Sequence, residues 1–159
     1  MEFPFGYNYC FDTSALIWMK NIYIPKTFVT LWAKFGELVD KGIVISPREV
    51  LDEIAAKDDE LHKWAKSKKL MFYELDPEQI ALAQDIVRSF PSLIDGNKTI
   101  PEADPFVIAL ARKKGALVVT QETLVFPVVK KVKIPNVCNH HGVEYIDTTE
   151  FIRRQHWEI

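Results

Sequence analysis

Short apolar runs alternate along this chain with longer stretches whose apolar residues recur at helical spacing. Tyr7 to Phe11 is aromatic-rich and followed at once by Asp12-Thr13-Ser14, which reads as a buried strand opening into a helix over Ser14 to Lys20. From Thr27 to Lys41, Phe28, Leu31, Trp32, Phe35, Leu38 and Val39 mark one helix face, and Gly42 is the stop. Ile43 to Ile45 predicts a second strand. Ser46, Pro47 and Glu49 then look like a cap, a first helical position and a capping-box acid, for a helix running to about Ala56. Asp58 to Lys69 predicts another helix, Met71 to Tyr73 a strand, and Pro77 to Phe90 a helix with Ile80, Ala83, Ile86 and Val87 on its buried face. Pro91 to Ile100 reads as a loop turning at Asp95-Gly96-Asn97.

Asp104-Pro105 opens a helix over Phe106 to Lys114, which ends on cations and Gly115, and Leu117 to Val119 is a strand. A Pro-flanked loop (Pro127 to Pro135), a short helix near Val137, a strand over Val143 to Ile146 and a closing helix from Thr148 follow. Strands alternating with helices in this way predict an α/β fold: one domain over residues 1–159, with a parallel central sheet and helices on both faces. In such folds the ligand site lies beyond the carboxyl ends of the strands.

Composition narrows the setting. No apolar run approaches the roughly 20 residues that cross a bilayer, and Met1 to Asp12 lacks the basic start and apolar stretch of a signal peptide. The expectation is a cytoplasmic protein with no membrane contact. Cys10 and Cys138 are too few for a disulfide framework and read as buried thiols. A formal net charge of −2 gives no general pull on nucleic acid. Basic residues still gather locally: Lys63, Lys66, Lys68 and Lys69; Arg112, Lys113 and Lys114; Lys130, Lys131 and Lys133; Arg153 and Arg154. Singly these are solvated helix ends and loops; together they would form a phosphate-attracting rim.

The acids carry the candidate chemistry. Asp12 and Glu122 each follow a strand, Asp104 starts the helix that leads into the second of those strands, and Glu53 lies on the helix after Ile43 to Ile45. Gathered carboxylates repel one another and resist desolvation, so they share a site when a hard cation sits among them. Mg²⁺ and Mn²⁺ take oxygen ligands and keep waters, one of which can attack a phosphodiester. Each acid also has a purely structural reading. Asp12 and Asp104 look like helix caps, Glu122 like an exposed loop acid, and Glu102 could stand in for Asp104. Asp52 and Glu53 flank the same apolar stripe, and periodicity does not choose between them.

The run Phe11-Asp12-Thr13-Ser14-Ala15-Leu16-Ile17 resembles the opening motif of PIN-domain nucleases. Val50-Leu51-Asp52-Glu53-Ile54 resembles their second motif and favours Glu53 over Asp52. Ala103-Asp104-Pro105-Phe106 resembles the third, and Val118-Val119-Thr120-Gln121-Glu122 the fourth. A less characterised PIN-like branch also shows segments like Asp58-Asp59-Glu60-Leu61 with Trp64, and Lys133 to Cys138. Most PIN domains carry Asp where this chain has Glu122. The resemblance implies a VapC-like endoribonuclease using Mg²⁺ or Mn²⁺ held by Asp12, Glu53, Asp104 and Glu122, with Ser14 and Thr120 supporting them. It also implies an RNA substrate, an antitoxin partner as in toxin–antitoxin pairs, and a homodimer.

The competing reading is a PIN-fold scaffold with weakened catalysis. A haloacid-dehalogenase-like phosphatase would want an acid where Ser14 stands. A zinc site from Cys138, His140, His141 and Cys10 matches no standard spacing. Trp18, Trp32, Trp64 and Trp157 read as core or rim aromatics rather than base-stacking platforms.

Overall fold

The computed structural model describes residues 8–94, 102–124 and 132–159. Its sheet is built from β1 (Tyr9–Phe11), β2 (Val44–Pro47), β3 (Phe72–Tyr73), β4 (Leu117–Val119) and β5 (Tyr145–Ile146). All pairings are parallel and the order across the sheet is β3-β2-β1-β4-β5. The helices are α1 (Thr13–Ile22), α2 (Val29–Asp40), α3 (Arg48–Lys57), α4 (Asp59–Ser67), α5 (Pro77–Ser89), α6 (Asp104–Lys114), α7 (Ile134–His141) and α8 (Thr148–Gln155). This is the α/β class that the alternating pattern predicts. Among the described residues no helix is long and apolar enough to cross a membrane.

The chain first winds from β1 outward to β3, then returns past β1 to β4 and β5. Parallel crossovers are right-handed, so reversing the direction of travel sends the later helices to the opposite face. The side chains of β1 record both faces, since neighbours on a strand point opposite ways. Tyr9 and Phe11 pack edge-on against Phe151 of α8, at centroid distances of 4.9 and 4.8 Å. Phe11 also meets Phe35 of α2. Between them Cys10 points the other way, its thiol 3.6 Å from the Val107 carbonyl of α6. Cys10 and Cys138 are both buried and free, as expected.

Most elements lie where the pattern puts them, and the exceptions have physical causes. Ser46 does not cap α3. It stays in the sheet, paired with Phe72 of β3, and its hydroxyl donates to the Phe11 carbonyl at 2.7 Å. A buried hydroxyl must find an acceptor, and the neighbouring strand offers one before the helix begins. Pro47 occupies the cap position without a side-chain bond, so Glu49 has no capping box to complete and sits beside Arg48 instead. Ile80 is exposed on α5, while Gln79 is buried, because Gln79 turns back to close a capping box with Asp76. The loop drawn to Pro135 ends earlier, since Pro135 already lies in the first turn of α7. The turn at Asp95-Gly96-Asn97 and the segment Pro127 to Lys131 lie outside the described residues. Gly42 and Gly115 do end their helices, with φ of +73° and +64°, a conformation that side chains with a Cβ rarely adopt.

Candidate active site

The reversal of strand order falls between β1 and β4, and it is past the carboxyl ends of these two paired strands that such a fold leaves a crevice. Asp12 is the first residue past β1. Its N–H still donates to the Val119 carbonyl at 3.0 Å, which pins the backbone to β4 while the side chain turns toward α1. The carboxylate caps α1, accepting from the Ala15 N–H at 2.8 Å. Ser14 Oγ donates to it at 2.8 Å and Thr120 Oγ1 at 2.5 Å. Asp12 is thus both a helix cap and a wall of the crevice.

A cleft of about 460 Å³ opens in front of it. Asp12, Glu53, Glu102, Asp104 and Glu122 line this cleft, together with Ser14 and Gln121. All four acids expected from the sequence are therefore brought to one place, and so is Glu102. Glu53 is buried on α3, and each oxygen has a donor: Thr13 Oγ1 at 2.5 Å and the Ala103 N–H at 3.3 Å. That N–H belongs to the start of α6, where free donors and the helix dipole favour an anion. Asp52 instead faces Arg48 at 3.8 Å and is half-exposed, so of the two neighbours it is Glu53 that lines the cleft. Asp104 is not the cap of α6. Ala103 holds that position in helical backbone geometry, and Asp104 is already in the first turn, where its charge complements the dipole. The longer arm of Glu122 reaches the start of α7 and accepts the Ile134 N–H at 2.9 Å.

Ser14 and Thr120 thus both hydrogen-bond the Asp12 carboxylate. Thr120 also accepts the Glu122 N–H at 3.0 Å, and Ser14 the Gln121 N–H at 3.0 Å, so the loop after β4 is tied to the start of α1. Burial pushes the Asp12 carboxyl up to about 7, and the nearby charge of Glu122 adds to this. The bonds from Thr120, Ala15 and Ser14 work against it. Replacing Thr120 by Val removes a bond that favours the ionised form, so the Asp12 carboxyl should rise further. Any activity that needs Asp12 ionised should then shift its acid limb to higher pH by roughly one unit, read from a rate–pH profile.

The acids and hydroxyls lining the cleft offer oxygen, the chemistry a hard cation selects. Among the described residues, however, no three His, Cys, Asp or Glu side chains are gathered closely enough to hold one ion as they stand. This applies equally to Cys138, His140 and His141, where the His141 Nδ1 instead lies 3.0 Å from Arg112. Burial also pushes the Cys138 thiol up to about 12.

Several cleft residues were not singled out from the sequence. Ile17, Trp18 and Asn21 line it from α1, and Lys57 from α3. Their signal was periodicity: they follow Ser14 by three, four and seven residues, and Lys57 follows Glu53 by four. Among the described lining residues Lys57 is the one cation. The described members of the basic clusters are not among the residues lining the cleft. Lys68 pairs with Asp40, Lys113 with Glu78, and Arg153 and Arg154 with Glu150.

A family model described as a domain of unknown function (DUF4411) matches residues 9–159. The chain belongs to this family. The match takes in the strand carrying Asp12 and every other acid of the cleft, so the site is part of the shared domain. No curated protein matches the chain at a significant level.

Proposed function

We propose that this protein is a metal-dependent endoribonuclease of the PIN type. One observation carries the reading: acids from separate elements line a single cleft at the strand-order reversal, with Asp12 buried at its back. Asp12, Glu53 and Asp104 would hold Mg²⁺ or Mn²⁺, with Glu122 completing the set. When bound, the cation supplies an acidified water and neutralises charge on a phosphodiester. The chain's own part is to position and shield. Thr120 and Ser14 hold the Asp12 carboxylate, Thr13 and the Ala103 N–H hold Glu53, and α1 and α3 wall the cleft on either side. An RNA strand is the proposed substrate. An antitoxin partner and a homodimer rest on the resemblance to VapC-like nucleases alone.

A second reading has one observation in its favour. The acids are not preassembled into a three-ligand group, which suits a scaffold that has lost its metal. Incubating the purified protein with a mixed RNA pool tests the choice. Cleavage is expected with Mn²⁺ and with Mg²⁺ and none with chelator. Cutting that persists in chelator would sink the metal mechanism. No cutting, together with no heat of Mn²⁺ binding by calorimetry, would establish the scaffold.

A further inference from the structure

We infer that Trp18, on the α1 wall of the cleft, stacks on a base next to the reacting phosphate and that Lys57 holds a neighbouring phosphate of the same strand. This rests on the nuclease reading above and adds two substrate-binding residues to it. Ser14, Ile17, Trp18 and Asn21 fall at helical spacing on one face of α1, and all four line the cleft. Trp18 is only partly buried although it packs on the core. Its indole is braced from behind by Tyr23, with ring centroids 6.1 Å apart at 70°. Tyr23 is in turn held edge-on by Phe28 at 5.2 Å. Trp64 and Trp157 are also partly buried and held by other rings, but of the four tryptophans only Trp18 lines the acid cleft. Trp32, for comparison, is buried and gives its N–H to the Tyr23 carbonyl at 2.6 Å.

Lys57 lines the same cleft from the last turn of α3, one helical turn beyond Glu53. It is exposed, and no acid pairs with it among the described residues. Lys20, which is also on α1, is by contrast spent on Asp58 at 2.8 Å. An unpaired cation at the edge of an acidic cleft offers a phosphate a landing point that the acids alone would repel. An aromatic ring and a cation flanking one groove are the two elements that bind unpaired strands with little sequence preference. A duplex keeps its bases stacked on one another and cannot present a face to Trp18.

Binding is measured by fluorescence anisotropy on the native protein with Ca²⁺, which takes the same oxygen ligands in a looser geometry than Mg²⁺, so that the probes stay intact. The probes are labelled oligoadenylate of roughly twelve nucleotides, an abasic ribose-phosphate strand of the same length, and an RNA duplex. Trp18→Ala should weaken oligoadenylate about tenfold and leave the abasic strand unchanged, and Trp18→Phe should recover most of the loss. Lys57→Gln should weaken both strands several-fold and flatten the salt dependence. The duplex should bind no better than the abasic strand. Two results would overturn the inference while leaving the nuclease reading intact: a normally folded Trp18→Ala protein that binds oligoadenylate as before, or one that loses both strands equally. If no probe binds any of these proteins, the nuclease reading fails first and this one falls with it.

Discussion

Asp12→Asn is expected to abolish metal-dependent RNA cleavage and, in the same protein, to raise the melting temperature measured without metal at pH 8. The first effect follows from the position of the carboxylate at the back of the cleft. Removing one charge from the proposed cation site costs several kcal/mol of transition-state stabilisation, a rate loss of roughly a hundredfold or more. The second effect follows from burial. The Asp12 side chain is 1% exposed, and its carboxyl stands at about 7 instead of an ordinary 3.8. Below about pH 4 both folded and unfolded chains hold the proton. Between about 4 and 7 the unfolded chain gives it up while the folded one keeps it, so rising pH destabilises the metal-free protein through that window. Above it the loss is complete and level.

A neutral Asn escapes that loss. The gain should be on the order of 1–3 kcal/mol at pH 8, several degrees in melting temperature, and should vanish near pH 4. Adding Mn²⁺ at pH 8 should raise the melting temperature of the native protein but not of the variant. A variant less stable than the native protein at pH 8 would mean that Thr120, Ser14 and the Ala15 N–H satisfy the carboxylate unaided. The pull toward a cation would then be absent. Loss of activity with gain of stability is the pattern of a group kept for its chemistry at a structural cost.

Phe151→Ala should be the most damaging single truncation for the fold. Phe151 is fully buried and lies edge-on to Tyr9, Phe11, Phe35 and Trp157. It joins α8, the last helix, to the first strand and to α2. Removing such a ring costs about 3–5 kcal/mol, because the cavity left among other rigid rings cannot collapse. For a chain of this size that lowers the melting temperature by on the order of 10 °C. Because Asp12 directly follows Phe11, the same change should loosen the back of the cleft and reduce cleavage below what the lost stability explains. A fall of less than about 1 kcal/mol would show that α8 is a peripheral addition.

Asp12, Asp104 and Glu122 sit at or just beyond element boundaries that the local pattern makes readable, while Glu53 lies inside α3. Phe11 ends a buried strand and Asp12 begins a helix, so periodicity alone places the carboxylate at a strand's carboxyl end. Gly115 and the apolar run Leu117 to Val119 do the same for the loop bearing Thr120 and Glu122. The choice of Glu53 over Asp52 was open to periodicity and came from the motif resemblance; in the structure Glu53 is the buried one of the two, held by bonds from Thr13 and Ala103.

What the sequence by itself determined is therefore the alternation of strand and helix, the fold class that follows from it, and which acids stand at strand ends. These are short-range matters, written in spacing, glycine stops and helix starts within a few residues. Only the tertiary structure decided how the acids are held, that Ser46 stays in the sheet, that Ala103 rather than Asp104 caps α6, and that Trp18 and Lys57 belong to the cleft. The reason is that hydroxyls, carboxylates and exposed rings take their partners across the sheet. Thr120 and Asp12 lie 108 positions apart in the chain, yet within a hydrogen bond of each other. No local pattern encodes such a contact; it exists once the order of the strands has brought β1 beside β4.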